Sequence, residues 1–157
     1  MIPKIKQLKI LNTREVKDII KVLDSQWGYH DKGTYVWMMN SKMKIYIVSH
    51  DLSKIDLETV RIDSMGLYIG EYKKRKFRLS LEGANIIGRK ATKNVVELNL
   101  EERNQWMKGE DLLKDLGEIP RFIILKNEGD LLGCGRYKEG RVYNYIPKER
   151  RLRVIAN

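Results

Sequence analysis

Apolar side chains recur at Val16, Ile19, Ile20 and Leu23, the i, i+3, i+4, i+7 spacing of an amphipathic helix. Asn12 stands ahead of that run with Glu15 three residues on, the form of a capping box, and Gly28 is placed to end the helix. The pattern then changes period. Residues 34–39 and 43–48 are β-branched, aromatic and apolar runs joined by Asn40, Ser41 and Lys42, which predicts a hairpin. Trp37, Met38 and Met39 in succession are expected to fill a core. Residues 51–57 read as a polar connector or short helical turn. Residues 59–63 and 67–72 read as strands, with Gly66 at a turn and Gly70 at a bulge or close approach. Residues 77–79 predict one more strand, and Ser80 is expected to cap a short helix through Leu81, Ala84 and Ile87 that Gly88 ends.

Residues 88–94 are polar and basic and hold no large apolar side chain, which marks a boundary. It divides the chain into a first unit, 1–90, and a second, 91–157. Beyond it, residues 95–98 read as a strand, and Asn99 with Glu102 repeats the capping-box form before Trp106 and Met107. A second short helical piece is expected from residue 108 to Gly117. The continuous apolar run in 121–126 predicts a buried strand, with a turn at Glu128, Gly129 and Asp130 and a return over 131–136. Gly140 turns the chain into a strand at 142–146, Pro147 breaks the ladder, and residues 152–155 are expected to close the sheet. The fold class that follows is α+β, with helix and antiparallel sheet first and short strands after.

Composition narrows the setting. The chain has 157 residues, 33% of them charged and 42% hydrophobic, which fits a folded chain of one ordinary domain or two small ones. No apolar run approaches the roughly 20 residues of a membrane span. The first residues lack the apolar core of a secretion signal, so a cytoplasmic location is expected. A single cysteine, Cys134, excludes an internal disulfide and a multi-cysteine zinc site, and is read as a small buried hydrophobe.

Charge changes the picture most. The formal net charge is +10, and a surface so basic favours polyanions. Residues 1–92 carry 18 basic and 10 acidic side chains, residues 93–131 six and nine, and residues 132–157 seven and two. Two positive regions therefore flank an acidic middle.

The richest stretch is 132–153. It holds Arg136, Lys138, Arg141, Lys148, Arg150, Arg151 and Arg153 against Glu139 and Glu149, with Tyr137, Tyr143 and Tyr145 interleaved. Arginine offers a planar fork for phosphate, and an aromatic face can stack on an unpaired base. These cations are the candidate phosphate contacts, with Tyr143 or Tyr145 as the candidate stacking group. The competing reading is an edge strand whose charges discourage aggregation, with the tyrosines half in the core. Lys73, Lys74, Arg75 and Lys76 form a second cationic run, read either as a solvated hairpin tip or as further phosphate contacts.

Catalytic patterns are sparse. His30 and His50 sit in no spaced cluster of metal ligands. No glycine-rich segment ends in the Gly-Lys-Ser/Thr of a phosphate loop, and Gly133-Cys-Gly135 falls between strands rather than at a strand-to-helix turn. Cys134 has no histidine near it in sequence to act as base. No enzyme activity, cofactor or metal is expected.

Several short stretches in order carry a resemblance. Gly33-Thr-Tyr-Val, Ile45-Tyr-Ile-Val-Ser49, Asp63-Ser-Met-Gly-Leu-Tyr-Ile-Gly70 and Lys76-Phe-Arg-Leu-Ser80 resemble the pre-PUA half of the Nip-seven family of ribosome-biogenesis factors. Lys108-Gly-Glu-Asp-Leu-Leu113 and Gly129-Asp-Leu-Leu-Gly-Cys-Gly135 resemble a PUA domain. The tail Ile146-Pro-Lys-Glu-Arg-Arg-Leu152 departs from that family and is similar to the C-terminal module of Nop-two/Fmu-type RNA cytosine methyltransferases. The resemblance implies an α/β pre-PUA domain with an antiparallel sheet, followed by a PUA-type β pseudo-barrel. It implies RNA binding without catalysis, on pre-ribosomal RNA, with a protein partner or added RNA contacts for the first unit. The expected function is a non-catalytic RNA-binding adaptor in ribosome biogenesis or rRNA modification. The alternatives are an enzyme or the accessory subunit of an RNA-modifying one, associated with a cytosine methyltransferase, and a structural interaction module.

Overall fold

The computed structural model of the protein describes residues 8–49, 66–118 and 121–152. The expected connector at 51–57, the strand at 59–63 and Arg153 lie outside them.

Helix α1 (Thr13–Trp27) forms where the apolar spacing predicts it. The Asn12 side chain accepts from the Glu15 backbone N–H at 2.9 Å, and the Glu15 carboxylate accepts from the Asn12 N–H at 3.1 Å. Two of the helix's orphan donors are thereby satisfied. Gly28 ends it in the left-handed region (φ +70°), donating to Asp24 O at 2.8 Å. The face so fixed buries Val16, Ile19, Leu23 and Trp27.

Strands β1 (Lys9–Ile10), β2 (Tyr35–Met39), β3 (Lys44–Ser49), β4 (Leu67–Lys73) and β5 (Lys76–Leu79) make an antiparallel sheet in that spatial order. The pleat sends Trp37, Ile45, Ile47, Ile69, Phe77 and Leu79 toward α1, while Met38 and Val48 are buried on the other face with Leu8, Val36 and Tyr46. Register shifts between Ile45 and Tyr46, opposite the bulge that Gly70 forms at φ +152°. The α1 end is clamped to β5: the Gln26 amide donates to Phe77 O at 2.9 Å and accepts from Phe77 N–H at 2.7 Å.

Helix α2 (Leu81–Gly88) follows, capped by Ser80, whose hydroxyl accepts from Gly83 N–H at 3.0 Å. It lies between the two sheets. On one side Gly83 comes so near β4 that an added Cβ would collide with the Ile69 carbonyl oxygen; on the other, Leu131 meets Gly88. The polar segment after α2 is held down, with Thr92 N–H donating to Trp27 O at 2.8 Å and the Asn94 amide to Gln26 O.

The second sheet runs β6 (Val95–Glu97), β8 (Phe122–Asn127), β9 (Asp130–Lys138), β10 (Arg141–Tyr143) and β7 (Leu112–Leu113). Only β6 and β8 pair in parallel; the other pairs are antiparallel. Helix α3 (Leu100–Met107) starts on the second capping box, with Asn99 and Glu102 exchanging both bonds. It drives Trp106 into a core of Leu98, Leu112, Ile123, Leu125, Leu132, Tyr137, Val142 and Ile146. The architecture is α+β with one antiparallel and one mixed sheet.

Two expectations are corrected, and a third lies mostly outside the described residues. The helical piece expected from 108 to Gly117 is the short strand β7 instead, because Leu112 is buried beneath the sheet and pairs with Val142. Gly109 (φ +94°) breaks the helix before it, and the Asp111 carboxylate fixes the turn by accepting from Asn144 N–H at 2.9 Å. The strand expected at 142–146 stops at Tyr143, since the Asn144 side chain takes the Trp106 and Glu110 carbonyls and the Ile146 N–H. Leu152, at the start of the expected closing strand, belongs to no strand and donates its N–H to Met107 O at 2.8 Å; residues 153–155 lie outside the described residues.

Candidate nucleic-acid interface

The β9–β10 hairpin gathers part of the predicted cationic set. Arg136 and Tyr143 sit directly opposite each other in the ladder, and Arg141 is on the same face of β10. The guanidinium carbons of Arg136 and Arg141 lie 5.8 and 5.9 Å from the Tyr143 ring centroid. Cation–π contacts of this length at an exposed site contribute about 0.5–1 kcal/mol each, enough to orient the ring. Tyr143 remains 37% exposed, so an aromatic face stands between two guanidinium groups. Arg141 also approaches Asp111 at 3.4 Å. Lys138 is exposed at the rim of the hairpin.

Arg136 also pairs in register with Phe122 on β8, extending this ledge across the sheet. Arg136 is half-buried, its Nε covered and without a hydrogen-bond partner among the described residues, and the alternation along β9 buries Tyr137, whose hydroxyl donates toward Asp115 at 3.3 Å and accepts from Leu116 N–H at 2.9 Å. One strand thus serves core and surface by turns.

Two further basic residues of the tail, Arg150 and Arg151, have intramolecular partners. Arg150 pairs with Glu82 on α2. Arg151 donates from Nε to Ile146 O at 2.9 Å and packs over Gly109, where an added Cβ would strike its side chain. The Tyr145 ring lies 4.7 Å beneath the Arg78 guanidinium, a stacking partner already in place. Lys148 is exposed on the 3-10 turn Lys148–Arg150. Arg150, Arg151 and Tyr145 therefore fasten the tail to α2, α3 and β5.

Lys73, Lys74, Arg75 and Lys76 form the tip of the β4–β5 hairpin, with Lys74 and Arg75 at φ +51° and +59°. Lys73 pairs with Glu71 at 3.3 Å. Arg75 and Lys76 turn instead into a cleft of about 430 Å³ with Lys21 of α1 and with Arg121 and Phe122 at the start of β8. Lys21, Arg121 and Phe122 were not singled out by sequence. Lys21 reads as an ordinary polar-face residue of α1 and Phe122 as core, and nothing in their spacing links them.

Cys134 is buried, and desolvation pushes its thiol from the ordinary 9.0 up to about 12. His30 is on the surface, 3.9 Å from Asp24; His50 lies outside the described residues. A thiol reagent at pH 8 is expected to spare Cys134 in the native protein and to modify it fully in denaturant, as counted by mass spectrometry. Rapid native labelling would contradict the burial. The linkage has a definite sign. Above pH 9 the unfolded chain releases the Cys134 proton while the folded chain holds it, so stability falls between pH 9 and about 12. Tyr29, raised by burial first and Asp31 next from 10.0 to about 12, acts in the same direction. Among the described residues no three His, Cys, Asp or Glu side chains are grouped to hold a metal ion, and no helix is long and apolar enough to cross a membrane.

Residues 93–152 match the methyltransferase RsmF PUA domain. The matched segment, 60 of the chain's 157 residues, is thus similar to the PUA domain of an rRNA methyltransferase. The match takes in β6 through the tail, the segment that carries the Arg136–Tyr143–Arg141 ledge. Ribosomal RNA small subunit methyltransferase F of Aeromonas salmonicida is 26% identical over 139 residues, covering 88% of this chain and 28% of the relative. The Aeromonas hydrophila protein of the same name is 24% identical over the same shares. The Vibrio campbellii one is 28% identical over 95 residues, covering 57% of this chain and 20% of the relative. The chain thus spans little more than a quarter of the curated relatives it matches most extensively. These findings support the methyltransferase side of the resemblance drawn from the sequence; the Nip-seven side is not shown by them.

Proposed function

We propose that this chain is a non-catalytic RNA-binding module that docks structured ribosomal RNA through its PUA domain, acting as an adaptor in rRNA modification or ribosome biogenesis. The observation that carries the reading is the Tyr143 ring held between Arg136 and Arg141 on the domain whose relatives are named for ribosomal RNA. In this reading the first half is the pre-PUA layer and the second the pseudo-barrel. Arg136, Lys138 and Arg141 contact phosphates, and Tyr143 stacks on a base. Arg150, Arg151 and Tyr145 hold the tail in place, and Lys73 and Lys74 add long-range attraction.

Fluorescence anisotropy against a structured rRNA fragment and an unrelated hairpin, over a salt series, tests this. Binding that prefers one RNA and persists near an ionic strength of about 0.15 M is the expected result. Exchanging Arg136 and Arg141 together for alanine is expected to lower affinity about tenfold and to flatten the salt slope by roughly 1.4–1.8, the loss of two phosphate contacts. Unchanged affinity and slope would remove the ledge from the interface.

A second reading, an accessory subunit of an RNA-modifying enzyme, is favoured by the names of the relatives. Heat released on calorimetric titration with S-adenosylmethionine would support it over the adaptor.

A further inference from the structure

The cleft between the two halves carries a feature of its own. Lys21 on α1, Arg75 and Lys76 at the β4–β5 tip and Arg121 before β8 converge on it, and among the described residues no carboxylate lines it. None of the four forms an ion pair among the described residues. Four like charges around one concavity repel each other, and an anion entering it relieves that repulsion. The wall beneath them is apolar: Val22 and Phe122 are both half-buried there and pack on the main core. The Gln26 clamp on Phe77 holds the α1 side of the cleft rigid against β5.

The larger cleft of about 670 Å³ near Tyr29 and Tyr35 differs in kind, because Asp31 already pairs with its Lys90. The basic cleft has room for a nucleotide at about 430 Å³. It opens beside Phe122, which pairs in register with Arg136 of the ledge. Phe122, Arg136 and Tyr143 are register neighbours on one face of the sheet, so nucleic acid lying on Tyr143 would pass Arg136 on its way to the cleft.

We infer that this cleft is a nucleotide subsite for an unpaired residue of the bound RNA, with Lys21, Arg75, Lys76 and Arg121 on the phosphates and the base against Phe122 and Val22. The inference rests on the RNA-binding reading above and adds to it a preference for single-stranded RNA next to the docked structure. A paired base cannot enter, since its face is covered by its neighbours in the stack.

The test uses the full chain and two fluorescein-labelled probes, a short oligouridylate and a blunt RNA duplex. The unaltered protein is expected to bind both, and the Lys21→Glu/Arg121→Glu variant to lose affinity for the oligouridylate by at least about tenfold, with a distinctly smaller loss for the duplex. Arg75→Ala, at an exposed turn, provides a milder variant with the same expected direction should the charge reversal disturb folding. Photocrosslinking an oligouridylate that carries 4-thiouridine is expected to label the peptide containing Arg121 and Phe122. Equal losses on both probes, or crosslinks confined to the β9–β10 hairpin, would overturn the subsite and leave the RNA-binding reading standing. Failure of the unaltered protein to bind either probe while it still binds the structured rRNA fragment would overturn the subsite alone, and failure on all three RNAs would overturn both.

Discussion

Replacing Trp106 with alanine is expected to destabilise the protein by about 3–5 kcal/mol, the usual range for deleting a large buried aromatic side chain. Trp106 is fully buried at the centre of the second core, and its indole N–H donates to Leu132 O at 2.9 Å. Its ring lies where Gly135 leaves room: a Cβ on that glycine would stand 2.9 Å from the ring edge. Its own carbonyl holds the Asn144 amide that ends β10. Truncation would open a cavity and orphan the Leu132 carbonyl together. Urea denaturation followed by circular dichroism measures the loss. Trp106→Phe separates the two contributions, since it keeps most of the volume and leaves the carbonyl unpaired, at about 1–3 kcal/mol. A loss below about 1 kcal/mol for the alanine variant would mean that the second core is not built around this side chain.

Gly83→Ala is the second large effect, and its sign is the informative part. Gly83 is helical, and on helix propensity alone alanine would be better there by roughly 0.5–1 kcal/mol. The contact argues the other way. An added Cβ would meet the Ile69 carbonyl oxygen and its neighbouring backbone atoms. Backbone cannot swing aside as a side chain can, so α2 must move off β4, and overpacking of this kind costs about 1–3 kcal/mol. Net destabilisation in thermal or urea melts is the expected outcome, and a stabilised variant would show that the approach is looser than described. Because Glu82 on α2 holds Arg150, displacing the helix should also loosen the tail. Faster amide exchange at residues 148–152 would report it.

Local elements were legible wherever a local rule decided them. The two Asn-to-Glu capping boxes, the left-handed Gly28 cap and the hairpin around Asn40 all formed where sequence placed them, because each depends on partners within a few residues. Residues 108–117 failed for the opposite reason. Leu112 has no local reason to be extended; it is drawn into β7 by pairing with Val142 and by the Asp111–Asn144 bond, both set by distant parts of the chain.

The same division runs through the candidate site. A dense run of arginines was visible in the tail, but its residues divide by contacts that spacing does not encode. Arg136, half-buried, and Arg141, exposed, gather about Tyr143, whereas Arg150 meets Glu82 from a helix 68 residues away. Lys21 and Arg121 went unnoticed because each is an unremarkable cation until folding sets them around one cleft.

The main core also has an implication for how the chain is made. Ile124 of β8 and Cys134 of β9 are buried in the same cluster as α1 and the first sheet. During synthesis, at about 5–20 residues per second, α1 and β1–β5 leave the ribosome well before those two side chains do. Until then the apolar faces of Trp27, Phe77 and Ile87 lack the wall that completes their enclosure. The nascent first half is thus the stretch most in need of protection by chaperones, and the half that is made first is finished last.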